Sequence, residues 1–229
     1  MKYLSQISTA LGLAITLFSF GCEQNKKAEA QSFTTPNSAN KRNISTAKAD
    51  VKLDKIILPA NFKIDVWAAD IPNAREMAIS DEGVLFVGSR QEGNVYAVID
   101  EDGDGKADTK FTLAEDLQMP NGVAYKDGDL YVAEVSRIIR FKDILNNLNT
   151  PKYEVIFDEY PTETHHGWKF IAFGPDGKLY VPVGAPCNIC KSDDEIFASI
   201  TRIDVDSPNP TPEIYAHGVR NSVGFDWDP

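Results

Sequence analysis

The segment HHGWKFIAFGPDGKLYVPVG, from His165 to Gly184, joins two adjacent histidines to a turn and a strand. Asp176-Gly177 supplies a backbone turn that needs positive φ, and Leu179, Tyr180 and Val181 are strand formers bounded by turn residues. His165, His166, Gly167 and Trp168 precede a second apolar run, Phe170 to Phe173, so the histidines sit on a loop at a strand edge. Loop positions on a rigid scaffold are where polar groups that do chemistry concentrate.

The same turn-and-strand unit recurs outward from this segment. SDEGVLFVGSRQEGNVYAV begins at Ser80 and YKDGDLYVAEVSRIIRF at Tyr125, and their turn glycines Gly83, Gly128 and Gly177 are spaced by 45 and 49 residues. Asp226-Trp227-Asp228-Pro229 reads as the opening of another such turn. Several short strands in each unit of 40–50 residues are the mark of a β-propeller blade. The fold expected is therefore all-β, a propeller with about three to four blades in residues 51–229. Propellers usually close with 4–8 blades, so the chain reads as part of a longer propeller, with a four-bladed closure as the alternative. Phe62 to Trp67 alternates as a half-buried strand, and Lys142 to Leu148 is the one short helical candidate.

The amino-terminal part has a different character. Lys2 followed by the apolar run Leu11 to Phe20 reads as a signal peptide over residues 1–22, too short to span a bilayer. Gly21-Cys22 resembles a lipobox, with Cys22 as the lipidation site, while Ala28-Glu29-Ala30 fits ordinary signal peptidase. Both readings export the mature chain, to the periplasm or to an outer-membrane anchor. Residues 23–50 are polar and small and read as a flexible tether. A net charge of −11 argues against nucleic acid as a partner and leaves the membrane to a lipid anchor alone.

With Cys22 lipidated, Cys187 and Cys190 remain as a CNIC pair. In an oxidising compartment such a pair forms a local disulfide more readily than half of a zinc site lacking its second pair. DEDGDGKAD places Asp100, Asp102, Asp104 and Asp108 at positions 1, 3, 5 and 9 of a calcium loop, with Gly105 at the sharp turn. Phe111 stands where the bidentate glutamate belongs, so the alternatives are a weak structural Ca²⁺ site and a solvated acidic turn.

GVRNSVGF, Gly218 to Phe225, offers a forked cation and an amide on a turn, suited to a planar oxygen-rich anion; pairing of Arg220 with a nearby aspartate is the plainer alternative. Taken with a histidine eight residues before Gly174, this G-x-R-N-x-x-G-F segment resembles the soluble pyrroloquinoline quinone (PQQ)-dependent sugar dehydrogenases, the glucose/sorbosone dehydrogenase-like six-bladed quinoproteins. CNIC directly after VPVGAP is similar to the sorbosone-type branch, and the resemblance runs from Ile56 to Pro229.

The resemblance implies oxidation of a sugar or related alcohol or aldehyde with PQQ and Ca²⁺ as cofactors, handing electrons to a separate acceptor. It implies that His166 is the general base, that Arg220 and Asn221 contact the quinone oxygens, and that His165 stands near substrate. Arg75 in PNAREMAI and Asn121 in MPNGVAY occupy weaker ligand positions, where a rim ion pair and a plain turn are the alternatives. The family's cofactor-associated calcium and its other carboxylate-binding cations belong to later blades, so activity is expected of the longer parent. Two other classes stay open: a non-enzymatic exported propeller that binds ligand, and a lactonase-type hydrolase using residues such as Glu134 and Asn121.

Overall fold

The computed structural model describes residues 40–44 and 51–228. The expected signal peptide, the lipobox Cys22 and most of the tether lie outside them. Three antiparallel sheets follow one another along the chain. The first contains β1 (Lys41–Asn43), β2 (Ala74–Ile79), β3 (Leu85–Ser89), β4 (Val95–Ile99) and β5 (Thr109–Ala114), in the order β1-β5-β4-β3-β2. The second contains β6 (Gly122–Lys126), β7 (Asp129–Ala133), β8 (Ile138–Phe141) and β9 (Tyr153–Phe157) in sequence order. The third contains β10 (Ala172–Phe173), β11 (Leu179–Val183), β12 (Ser199–Ile203) and β13 (Glu213–His217), also in sequence order. These are three consecutive blades of a β-propeller, each a four-stranded meander, with β1 added outside the first.

Two-sided burial explains why the blade strands are nearly continuous apolar runs. In β7, Leu130 and Val132 pack with Phe86, Leu113 and Phe141 between the first and second blades. Its alternate residues, Tyr131 and Ala133, pack with Leu179, Val181 and Ile203 between the second and third. Period-two alternation thus serves two cores, and each fully buried Leu or Phe contributes roughly 1.5–3 kcal/mol. Tyr180 of β11 points to the far side of the third blade, where Tyr215 and Trp227 meet it edge-on and Phe225 lies tilted against it.

Three local expectations are revised. Phe62 to Trp67 forms no strand, because β1 already pairs along the free edge of β5. Trp67 instead accepts a hydrogen bond from the Ala107 N–H at 2.8 Å and packs with Ile71 on the outer face of the first blade. Strand structure begins inside the stretch expected to be a tether, where the Asn40 amide also donates to the Leu148 carbonyl at 2.7 Å. The helical candidate is a single 3₁₀ turn, Ile144–Asn146.

Antiparallel alternation sorts the loops between two ends. Segments entering each innermost strand, and loops joining the second strand to the third, lie at one end, here the upper end. The Gly83, Gly128 and Gly177 turns, and the loop between β4 and β5, lie at the lower end. Upper-end loops are pressed close: a Cβ on Gly88 would stand 2.2 Å from the Asn121 carbonyl oxygen and 2.6 Å from that of Pro120. Gly88→Ala is therefore expected to destabilise by about 1–3 kcal/mol, whereas Gly224→Ala, which meets open space, should stay within about 0.5 kcal/mol of wild type; denaturant melts of both variants check this contrast.

Candidate functional site

The upper end gathers the histidines, Arg220 and Asn221 around the main chain of Gly184 and Ala185. His166 is buried, at 8% exposure, and its backbone has φ 54°, a left-handed conformation uncommon for a residue with a side chain. Its Nδ1 lies 2.9 Å from the Ala185 carbonyl oxygen. A carbonyl only accepts, so Nδ1 carries the proton and, in the neutral ring, Nε2 keeps its lone pair. The Ala185 N–H in turn donates to the Arg220 carbonyl at 2.8 Å. One residue therefore joins the segment bearing His166 to the segment bearing Arg220, although these are 54 positions apart in sequence.

Gly184 is required at this junction. A Cβ there would lie 2.5 Å from His166 Cβ and 2.6 Å from the His166 carbonyl oxygen, with Asn221 Oδ1 3.1 Å away. His165 is exposed; its ring centroid is 4.0 Å from that of His166, and its Nε2 lies 3.3 Å from Asn188 Oδ1. Arg220 is also exposed, donating from Nε to the Asn188 carbonyl at 3.0 Å and from Nη2 to Asn188 Oδ1 at 2.8 Å. No carboxylate pairs with it among the described residues, so the simple ion pair weighed from sequence is not what holds this arginine. A cleft of about 400 Å³, lined by Ala185, Asn188, Cys190, Gly218 and Arg220, opens beside it. The much larger cleft near Trp67 and Met77 faces the outside of the first blade.

The other expected ligand positions lie along the same end but not at this junction. Arg75 is on the exposed side of β2, beside Glu76. Burial pushes the Glu76 carboxyl above its ordinary range, against the opposing pull of Arg75 and an Asn121 hydrogen bond. Asn121 is buried and donates from Nδ2 to the Lys169 carbonyl at 2.8 Å, while its Oδ1 has no partner among the described residues. Glu134 is fully engaged, accepting from the Gln118 N–H at 2.6 Å and pairing with Arg137.

Three further groups stand at this end. The Arg90 guanidinium stacks 3.6 Å from the Trp168 ring centroid, a cation–π contact from the first blade across to the third. Asn188 looked like filler between cysteines. Lys169 is 2% exposed, with only the Gly167 carbonyl at 3.3 Å and the Tyr160 ring among the described residues to receive its ammonium. None carries a local motif; only the chain path brings each to its partner.

Cys187 and Cys190 are joined by a disulfide, with Cα atoms 5.8 Å apart, in the loop between β11 and β12. The acidic hairpin lies at the lower end. Asp100, Asp102 and Asp108 each offer a carboxylate oxygen, all within 4.8 Å of one another. Asp104 stands outside that group, its Oδ1 accepting from the Lys106 N–H at 2.8 Å.

Comparison with known proteins gives the fold and a family. The family model described as "Domain of unknown function (DUF7133)" matches residues 48–228. An uncharacterized protein of Borreliella burgdorferi is 28% identical over 196 residues, covering 80% of this chain and 49% of its own length. The chain thus spans about half the length of that curated relative. Among solved structures, the holo PQQ domain of Coprinopsis cinerea pyranose dehydrogenase aligns with TM-score 0.57 and 15% identity, over 66% of this chain and 40% of its own. An AA12-family carbohydrate-active enzyme of Trichoderma reesei aligns with TM-score 0.57 and 16% identity, over 87% and 48%. A Thermus thermophilus protein described as an oxidoreductase (glucose dehydrogenase) aligns with TM-score 0.50 and 20% identity, over 68% and 55%. At these identities the likeness is one of fold: a propeller of the quinoprotein type.

Burial of Lys169 has a pH signature. Desolvation lowers its pKa from 10.5 to about 8. The folded state then holds fewer protons than the unfolded state between those values, so stability rises with pH across that window. Lys169→Met should raise the melting temperature at pH 7, and its advantage should shrink as pH rises from 8 towards 10; thermal melts at stepped pH read the difference.

Proposed function

The chain belongs to the DUF7133 family, and on that premise we propose that it is the part of an exported quinoprotein oxidoreductase that carries the base and the quinone-oxygen contacts. The observation that supports this most is the tautomer of His166. Its Nδ1–H is committed to the Ala185 carbonyl, so Nε2 is left as a proton acceptor in a ring that cannot turn freely. The residues present fit PQQ in their chemistry: an arginine without a carboxylate partner among the described residues, an amide at Asn221 against Gly184, and a basic imidazole nitrogen, gathered about Gly184 and Ala185. PQQ, when bound, supplies the electron sink for a hydride leaving a sugar or polyol carbon.

The chain's own residues do the rest. His166 takes the substrate hydroxyl proton on Nε2, and the Ala185 carbonyl stabilises the resulting imidazolium through Nδ1–H. Arg220 counters negative charge that builds on the guest's oxygens, and Asn221 donates to one of them. His165, exposed beside His166, would meet substrate, and Arg75 and Asn121 would contribute from the upper ends of β2 and β6. Anchoring through Cys22, outside the described residues, would put this reaction at a membrane surface facing the periplasm.

His166→Asn in the full-length protein is expected to lower dye-linked sugar oxidation by about 10²–10⁴-fold after reconstitution with PQQ and Ca²⁺, with PQQ binding retained. A wild-type protein that neither binds PQQ nor reduces the dye with any sugar or polyol tested would overturn the reading.

Calcium belongs to the proposal in a separate, structural place. Asp100, Asp102 and Asp108 would hold it in the hairpin between β4 and β5, hard oxygen donors suited to that ion. Calorimetric titration with CaCl₂ should give binding heat and a raised melting temperature that Asp100→Asn with Asp102→Asn abolishes. Equal melting temperatures with CaCl₂ and with chelator would remove the site.

A further inference from the structure

We propose that Asn188 is a positioning residue that orients Arg220 for an anionic guest without neutralising it, and that the Cys187–Cys190 disulfide is what holds Asn188 in place. The guest's identity rests on the quinone reading above; the clamp itself is independent of it.

The argument starts from the acceptors. Nε and Nη2 are the edge of the guanidinium fork that ordinarily receives a carboxylate. Here both bonds run to one residue, to its main-chain oxygen at 3.0 Å and its Oδ1 at 2.8 Å. An aspartate at this place would cancel the charge, whereas an asparagine fixes the geometry and leaves the positive charge in force. On a chain of net charge −11 an arginine held, among the described residues, only by neutral acceptors is a specific arrangement. The amide oxygen also faces His165 Nε2 at 3.3 Å, so one atom sets both an exposed imidazole and the cation.

Asn188 needs help to do this. It is exposed, near the tip of a loop running from 184 to 198, where an asparagine would otherwise sample several rotamers and backbone states. The disulfide between its neighbours closes a four-residue ring around it and limits the directions its carbonyl and side chain can take together. Arg220 in turn is anchored through its carbonyl to Ala185, at the start of the same loop, so both ends of the clamp share one backbone frame.

Two readouts on the full chain test this. Exchange of the Arg220 Nη2 hydrogens, whose acceptor is the Asn188 side chain, followed by NMR without cofactor, should be slow in wild type and in Asn188→Asp, and fast in Asn188→Ala and in Cys187→Ser with Cys190→Ser. PQQ affinity, followed by fluorescence quenching, should weaken about three- to tenfold in Asn188→Ala through lost preorganisation. It should weaken at least about tenfold in Asn188→Asp, which keeps the position but cancels the charge. Exchange in Asn188→Ala as slow as wild type overturns the clamp, and Asn188→Asp binding PQQ as tightly as wild type overturns the role of a neutral acceptor. Slow exchange surviving loss of the disulfide overturns its part. A wild type that binds no PQQ overturns the quinone reading instead, and the exchange rates still decide the clamp.

Discussion

Leu130 and Val132 look towards one neighbouring blade while Tyr131 and Ala133, on the same five-residue strand, look towards the other. A strand committed on both faces cannot slip by one residue without moving a tyrosine into a leucine's space and the reverse. That constraint fixes register in the middle of each blade, and register fixes where the connecting loops emerge. Everything at the upper end, including the burial of His166 and the reach of Arg90 to Trp168, inherits its position from this alternation. The lower-end glycine turns only close the hairpins that the alternation requires.

The site is built from loops, yet much of it is held by main chain rather than by side chains. Ala185 contributes no functional group of its own. Its carbonyl selects the tautomer of His166 and its N–H fixes the strand-exit segment of Arg220. Gly184 beside it lets the histidine backbone approach closer than any side chain would permit. The junction of the histidine and arginine segments is thus supported by the least distinctive residues of the motif VPVGAP, which is why mutational attention confined to ionisable side chains would miss the framework.

Much of this was legible in the chain itself. The spacing of Gly83, Gly128 and Gly177 carries the blade repeat because positive φ at a tight turn needs glycine, and each takes it, at 84°, 89° and 77°. His166, Arg220 and Asn221 were visible as motif residues, and the segments that bear them meet at the main chain of Gly184 and Ala185. What escaped was pairing that depends on which edge is already occupied. Phe62 to Trp67 has the pattern of a strand, but β1 takes the available edge of β5. Asn188 and the Arg90–Trp168 stack escaped for a related reason: each gains its meaning from a partner in another segment, and no local periodicity encodes that. Asp104 has the spacing of the loop but stands outside the close group formed by Asp100, Asp102 and Asp108.

The acidic hairpin and the histidine junction lie at opposite ends of strands about five residues long, a separation of roughly 17 Å. At physiological ionic strength charges interact through solvent over about 8 Å, so an ion captured below would scarcely alter proton affinities above. A change in the lower loop is therefore expected to act on folding stability while leaving the titration of groups at the opposite rim untouched. Such mechanical coupling with electrical isolation is a general gift of the radial meander, and it allows a protein to tune robustness and reactivity on separate dials.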